Sequence, residues 1–291
     1  MLDLAHPPAD VTDRSRWLNG EPGPVGIGDL WLLSWDGIGL GLAIISGIAD
    51  DYVLVWPATF PSQEGFRPAI ELPSTRLGTT LFVWPSRETG VGLHLLHRRF
   101  GTELSQRTMA LMLDAVENGT DSPYPYAPLQ PDDPTAWRQD AAMVDQWEDI
   151  CLNVWPEPVV GEAPLNREVL RSHGITVGDL AGALRLAPQA AASLFLAEAA
   201  PSPGQVETVA RQFGLDRSEL LAPLVDESVL ELLSPVWKDD VLAVARRLHS
   251  GEAVARQRLR EEYALAARAS GPNARRDRMT AAVQRILRDE I

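Results

Sequence analysis

Few side chains in this sequence combine a reactive type with a useful spacing. His94 and His97 are a close pair, and an imidazole that titrates near neutral pH can act as a general acid or base. Residues three apart on a strand face opposite sides of a sheet, so we do not expect them to act together. We interpret them as surface or strand-end histidines. The single cysteine, Cys151, excludes an intrachain disulfide and a multi-cysteine zinc site.

Several common catalytic motifs are missing from the sequence. It contains no HExxH, GxxxxGK[ST], GxSxG or GxGxxG, which removes the enzyme classes that depend on those zinc, phosphate, nucleophile and dinucleotide motifs. We therefore expect no metal and no cofactor.

Composition indicates a water-soluble protein with room for two modest domains. The 291 residues are 45% hydrophobic and 23% charged, which is ordinary for a globular chain. No apolar run approaches the roughly 18 residues of a membrane span. Residues 1–24 carry three aspartates and no apolar segment, unlike a secretory signal. The expected location is the cytoplasm, away from any membrane.

Charge is distributed unevenly along the chain. The net charge is −14, from 26 basic and 40 acidic residues, which argues against indiscriminate coating of nucleic acid. Residues 235–291 nevertheless hold 12 basic and 8 acidic residues, whereas residues 121–163 hold one base and nine acids. One end of the chain is therefore basic and the rest is acidic.

The first half has the pattern of short strands followed by one helix. Between residues 26 and 96, apolar runs are interrupted every eight to twelve residues by Gly, Pro or Asp, which is typical of a small antiparallel barrel or sandwich. After Ser105, a plausible N-cap, apolar residues recur at helical spacing until Asn118-Gly119. The predicted strands are 29–35, 42–46, 52–57, 69–72, 80–85 and 91–96.

Four segments carry a family resemblance: GDLWLLSWD (28–36), LAIISG (42–47), VWPATFPSQEGFRPAIEL (55–72) and HRRFGTELSQRTMALMLDAV (97–116). Through them, residues 25–120 resemble the MazF/PemK-like family of toxin ribonucleases. The resemblance implies an SH3-like barrel with a closing helix, a dimer and metal-independent RNA cleavage.

That family's chemistry uses an arginine just before the second strand and a threonine after the third. Thr59 matches the threonine, but Gly39, Leu40 and Gly41 stand where the arginine is needed. Losing a group that stabilises transition-state charge lowers the rate by a factor on the order of hundreds or more. We therefore expect a barrel that has kept the fold and lost the cleavage. If it is active, Thr59 and Arg67 are the candidate catalytic residues.

The second half has helical periodicity. Thr176 with Asp179 forms a capping box, Ser202 precedes an N1 proline, and Asp216 is an N-cap with Glu219 at N3. The predicted helices are 165–173, 177–185, 188–196, 203–213 and 216–224.

The segment ITVGDLAGALRLAPQAAASLF, followed by PSPGQVETVARQFGLDRSELL, carries a second resemblance. Residues 164–225 resemble the Cro/lambda-repressor-type helix-turn-helix domain, the XRE family. Its core positions match Leu180, Ala181, Leu184, Leu186, Ala191 and Leu194.

The resemblance implies that the helix beginning at Pro188 lies in the major groove of DNA. Gln189 can make a bidentate adenine contact, and Ser193 is a weaker donor. Val177 stands at the usual phosphate-donating position. Residues 164–225 hold five bases and six acids, so we expect weak binding with a shallow salt dependence. The candidate DNA-binding residues are Thr176, Arg185, Pro188, Gln189, Ala190 and Ser193.

Two further segments flank this domain. Residues 121–163 are interpreted as an acidic, Pro-rich connector of which a Trp-containing part docks on a neighbour. Residues 226–291 are interpreted as a basic helical extension, with helices at 238–249, 251–270 and 275–290. It either packs on the helical bundle as a salt-bridged hairpin, contacts phosphate, or docks the acidic connector.

The prediction is an α+β chain of two domains: an N-terminal extension (1–24), a MazF/PemK-like barrel (25–120), the connector (121–163), an XRE-type helix-turn-helix (164–225) and the basic extension (226–291). The first hypothesis is a DNA-binding transcription regulator or antitoxin-like protein, a homodimer that binds DNA and, in a toxin-antitoxin system, a protein partner. One alternative is an active MazF-like ribonuclease toxin controlled by its own C-terminal half. The other is a protein-interaction scaffold that does not bind nucleic acid.

Overall fold

The structure is a computed structural model that describes residues 2–63, 65–130, 132–155, 163–196, 199–221, 227–266 and 274–288. The chain is α+β, as predicted. It divides into two compact units, which we call the sheet unit (Met1–Trp155 with Ser228–Ile291) and the helical unit (Pro156–Glu227). Within the described residues, none of the helices combines the length and apolar character that spanning a bilayer requires.

The sheet unit is built on an antiparallel sheet of seven strands in the described part of the chain. The spatial order is β4-β5-β3-β2-β1-β7, and β6 pairs with β3 beside β5. The strands are β1 (Asp29–Trp35), β2 (Ile38–Ile48), β3 (Tyr52–Thr59), β4 (Ile70–Leu72), β5 (Leu81–Val83), β6 (Thr89–Gly92) and β7 (Leu96–Thr102). The predicted strand at 91–96 is instead the end of β6, a 3₁₀ turn over Leu93–Leu95 and the start of β7.

Both faces of the sheet are covered, because successive side chains on a strand alternate between the faces. Leu30 and Leu32 join a buried cluster that includes Trp17 of α1 (Arg14–Asn19) and Met112 of α2 (Gln106–Asn118). Trp31 and Leu33 join a second cluster with α3 (Pro134–Leu152). The Ser105 N-cap and the Gly119 end of α2 are confirmed.

The segment predicted as a connector is largely part of the sheet unit. Ahead of α3, the amide of Glu71 in β4 donates to the carbonyl of Pro125 (2.8 Å), and the amide of Ala127 donates to Ala69 (2.8 Å). Within α3, Met143 and Trp147 are buried. The acidic composition reflects the solvent-facing side of a docked helix, and the aromatic residues mark its packed side. Residues 156–162 of the predicted connector lie outside the described residues.

The helical unit follows the predicted boundaries closely. Its helices are α4 (Arg167–Ser172), α5 (Val177–Leu184), α6 (Pro188–Phe195), α7 (Pro203–Phe213) and α8 (Arg217–Leu220). Buried Leu170, Leu180, Ala191, Leu194 and Val206 belong to one apolar cluster. The capping box at the start of α5 is confirmed, and so is the Ser202 N-cap with its N1 proline at the start of α7, where the structure adds a capping box with Gln205. The predicted end of the last helix, 222–224, lies outside the described residues.

The C-terminal helices belong to the sheet unit and are not part of the helical unit. They are α9 (Glu227–Leu233), α10 (Lys238–Arg247), α11 (Glu252–Leu265) and α12 (Ala274–Arg288). The ammonium of Lys238 donates to the backbone carbonyl of Ser34 in β1 (2.8 Å). The amide of Glu252 donates to the carboxylate of Asp36 in the β1–β2 turn (2.5 Å). Parts of the predicted helices, 267–270 and 289–290, lie outside the described residues.

Candidate functional site

The helical unit places two short helices in sequence with a tight connection between them. α5 ends at Leu184 and α6 begins at Pro188, so residues 185–187 form the turn. Leu180 of α5 and Ala191 of α6 are buried in the same cluster. A helix pair joined by a turn of three or four residues is the arrangement from which helix-turn-helix proteins build their DNA-reading surface.

The turn and the first residues of α6 are open to solvent. Arg185, Pro188, Gln189 and Ala190 are exposed, whereas Ser193, one turn further along α6, is half-buried. The structure thus brings these five predicted DNA-binding residues to the turn and to α6.

Thr176, at the start of α5, is engaged in its own helix cap. Its hydroxyl donates to the carboxylate of Asp179 (2.6 Å), and its amide donates to the same oxygen (2.8 Å). These hydrogen bonds lower the pKa of Asp179. The carboxylate therefore occupies the position at the helix N-terminus that would otherwise attract a phosphate.

Arg185 ends α5 in the left-handed backbone conformation, with φ 53° and ψ 42°. Helices commonly end this way on glycine, as α7 does at Gly214, because a side chain makes the conformation unfavourable. Neither α5 nor α6 contains a basic residue. Arg185 is therefore the cation of this surface.

In the sheet unit, Thr59 lies at the end of β3 and is half-buried. Its hydroxyl accepts a hydrogen bond from the indole of Trp84 (3.1 Å). Arg67 is exposed, and its guanidinium lies over the ring of Tyr126, 5.1 Å from the centroid. The guanidinium of Arg67 therefore packs against an aromatic ring.

Residues 39–41, where the resemblance implies an arginine, are covered by other parts of the chain. Gly39 exchanges backbone hydrogen bonds with Leu2 (2.7 and 2.9 Å), and a β-carbon on Gly39 would lie 2.8 Å from Leu2 atoms. The side chain of Gln146 in α3 donates to the carbonyl of Leu40 (2.5 Å). A β-carbon on Gly41 would contact Gln146 and Trp147. A substrate phosphate has little room at this edge.

The interpretation of His94 and His97 as surface residues is wrong, since both are buried, whereas His97 does lie near a strand end as the second residue of β7. Nδ1 of His97 lies 2.9 Å from the hydroxyl of Ser34, and Nε2 lies 3.2 Å from the carboxylate of Asp239. Burial lowers the pKa of His97, against the opposing effect of Asp239. Ser34 is fully buried. Its hydroxyl therefore orients the imidazole and is out of reach of a substrate.

His94 lies beside a buried cluster of charges. Lys238 and Arg256 both form ion pairs with one carboxylate oxygen of Glu252, at 2.7 and 3.3 Å, and all three side chains are at most 1% exposed. Both cations also donate to the carbonyl of His94 (3.1 and 3.3 Å). Burial, with the charges of Arg256 and Lys238, lowers the pKa of His94 to about 3. Burial lowers the pKa of Lys238 to about 8.

Sequence reasoning missed these buried groups because nothing local marks them. Lys238, Glu252 and Arg256 have the composition of a solvated helix face, and their partners in β1 and the 3₁₀ turn precede them by 144 to 204 residues. Among the described residues, no group of three potential ligands could hold a metal ion.

Comparison of the chain with protein-family models, with curated protein sequences and with solved structures finds no match.

Proposed function

We propose that the chain is a sequence-specific DNA-binding regulator that uses its helical unit as a helix-turn-helix domain. The observation that carries the proposal is the exposed start of α6, where Gln189 follows the residue 185–187 turn and Arg185 supplies the cation. The resemblance of residues 164–225 to the XRE family supports the same assignment.

In this proposal, α6 lies in the major groove and Gln189 reads an adenine through its two-ended amide. Arg185 contacts the phosphate backbone from the turn. Thr176 contributes to the fold and makes no phosphate contact, because its hydroxyl hydrogen is engaged by Asp179. With so few cations, one helical unit binds weakly, and two units in a homodimer gain affinity through simultaneous contact with two half-sites.

The sheet unit is proposed to be a MazF-like barrel that does not cleave RNA. A glycine stands at each end of the segment where the family places its arginine, and Leu2 and α3 cover that segment. Arg67 lies against Tyr126. Within the described residues, the hydrogen-bond partner of the Thr59 hydroxyl is the neutral indole of Trp84, which does not supply the positive charge that a phosphoryl transition state needs.

The test is a titration of the full-length protein against DNA from its own promoter region and against random DNA, each at about 50 and 200 mM salt. We expect saturable binding that prefers the promoter DNA. The slope of log affinity against log salt should be shallower than the about −5 to −9 of a protein with six to ten phosphate contacts.

Two matched substitutions test whether Gln189 is the residue that contacts the bases. Gln189→Ala should remove the sequence preference and leave the salt slope unchanged, because base contacts specify and phosphate contacts position. Gln212→Ala, the same change at an exposed position of α7, should behave as wild type. Equal affinity for both DNAs, or a preference that survives Gln189→Ala, would contradict the proposal.

One observation favours a second function, a protein-binding role for the same surface. The carboxylate of Asp179 occupies the N-terminus of α5, where DNA-binding domains of this type place a phosphate. A basic partner, including one of a toxin-antitoxin pair, would be attracted there. Absence of DNA binding at both salt concentrations would favour this function.

A further inference from the structure

A cavity of about 580 Å³ lies within the sheet unit, and its lining includes neither Thr59 nor Lys238, Glu252 or Arg256 of the buried charge cluster. Its walls come from the N-terminal segment (Leu18), the β1–β2 turn (Asp36), β7 (Arg98), α10 (Arg246) and the loop after α10 (Gly251). The volume lies within the range of small-molecule sites, which is about 300–1,000 Å³. Five separate stretches of chain therefore converge on a space large enough for a small organic molecule.

Within the described residues, the hydrogen bonds of the two arginines in the walls go to backbone carbonyls and not to carboxylates, although the charge of Asp239 acts on both. Nη1 of Arg98 donates to the backbone carbonyls of Leu4 (2.8 Å) and Trp17 (2.9 Å). Nε of Arg246 donates to the carbonyl of Leu242 one turn before it (3.3 Å). These neutral partners fix the position of each guanidinium and leave its charge available to a ligand.

The carboxylates in the walls are engaged elsewhere. Asp36 accepts a hydrogen bond from the amide of Glu252 at the start of α11. Lys238, Arg256 and Glu252 together carry a net charge of one positive unit, and the negative charge of Asp36 offsets it. Asp239 accepts from His97 and offsets one of the two arginines. The cavity therefore keeps one positive charge in excess.

The rest of the wall is apolar. Leu18 is 43% exposed and Leu242 is half-buried, and both line the cavity together with Leu4. A site with one excess guanidinium charge and an aliphatic wall is complementary to an anion with a short hydrocarbon body.

We propose that this cavity binds a small monocarboxylate, whose carboxylate contacts Arg98 and Arg246 and whose aliphatic chain packs against Leu18 and Leu242. The site belongs to the sheet unit and does not depend on DNA binding by the helical unit. Its ligand is distinguished from other small molecules by the single negative charge.

The test uses calorimetric titration of the full-length protein with hexanoate and with its neutral isostere hexanamide. We expect saturable binding of hexanoate, with hexanamide at least about tenfold weaker because it lacks the charge-assisted hydrogen bonds. Arg246→Gln should weaken hexanoate by about tenfold or more. Arg247→Gln, the neighbouring residue of α10 outside the cavity lining, should leave the affinity unchanged.

A second variant tests the apolar wall without changing any charge. Leu18→Ser should weaken hexanoate and leave the affinity for acetate unchanged, because acetate has no chain to reach the leucine. The proposal is overturned by absence of saturable hexanoate binding, by equal binding of hexanoate and hexanamide, or by an Arg246→Gln protein that binds as wild type. Thermal melts of each variant without ligand establish that it is folded.

Discussion

The two units of this chain are stabilised in contrasting ways. In the helical unit, the described helices begin at local caps such as Thr176 and Ser202 and meet in a small apolar cluster without a buried charged side chain. In the sheet unit, Lys238, Glu252 and Arg256 are buried, and besides the Arg256–Glu252 pair four residues apart they bond to groups 14 to 216 residues away. Local sequence signals therefore specify the helical unit, whereas ionic contacts between residues far apart in the sequence stabilise the sheet unit.

The largest expected effect comes from removing the carboxylate at the centre of the buried cluster. Glu252→Gln leaves Lys238 and Arg256 as two buried cations without an anion between them. Breaking a buried pair in this way lowers the free energy of unfolding by about 3–5 kcal/mol. All nine tryptophans lie in the sheet unit, so urea unfolding followed by tryptophan fluorescence measures this loss in that unit alone.

The matched control is Glu261→Gln, on the same helix. Glu261 pairs with Arg258 at the surface, where the two side chains are 51% and 47% exposed. Exposed pairs contribute about 0–1 kcal/mol, so this variant should unfold close to wild type. Similar losses for the two variants would show that the buried cluster does not hold the C-terminal helices on the sheet.

The second expected effect is a pH dependence of the sheet unit. The pKa of His94 is lowered to about 3 by burial and by the charges of Arg256 and Lys238. As the pH falls below about 6.5, the unfolded chain takes up a proton that folded His94 does not, so stability that is complete above pH 6.5 is lost on acidification. Between pH 6.5 and pH 5 the loss from this residue is about 2 kcal/mol.

Urea unfolding of wild type and His94→Phe at pH 7 and pH 5 measures this contribution, because the aromatic ring keeps the edge contact with Trp35. The free energy of unfolding of the variant should change less with pH, by about 2 kcal/mol, although His97 still titrates. Equal pH dependence in both proteins would mean that His94 is accessible to protons in the folded state.

The same contrast explains what the sequence could predict. β1 was predicted at its observed bounds, and α5 to α7 within about one residue, because strand alternation, caps and helical spacing are local. Docking of a Trp-containing part of residues 121–163 was predicted, but the helix α3 and the packing of the C-terminal helices on the sheet were missed, since an acidic helix face and a basic helix face both look solvated in sequence. For the candidate DNA-binding residues at the start of α6, exposure to solvent could be predicted from the helical periodicity. The capping box predicts that Thr176 hydrogen-bonds to Asp179. That this hydrogen bond leaves the Thr176 hydroxyl without a hydrogen for a phosphate is visible only in the structure.

The smallest expected effect concerns Arg185, where stability and binding should change in opposite directions. Arg185→Gly relieves a left-handed conformation that is unfavourable by about 1–2 kcal/mol, and it adds backbone freedom to the unfolded chain worth about 0.4–1 kcal/mol. The helical unit should therefore gain roughly 0.5–1 kcal/mol, seen as slower amide hydrogen exchange in α5 and α6. DNA affinity should fall at the same time, because the cation of this surface is lost.

Arg185→Gln separates the two contributions, because it removes the charge and keeps the β-carbon in the left-handed conformation. This variant should lose DNA affinity as the glycine variant does, without slower exchange in α5 and α6. A glycine variant that binds DNA as wild type would remove Arg185 from the proposed interface. Unchanged exchange in that variant would show that the turn is not strained. An arginine kept where glycine would be more stable is the expected signature of a residue retained for contact with a partner rather than for folding.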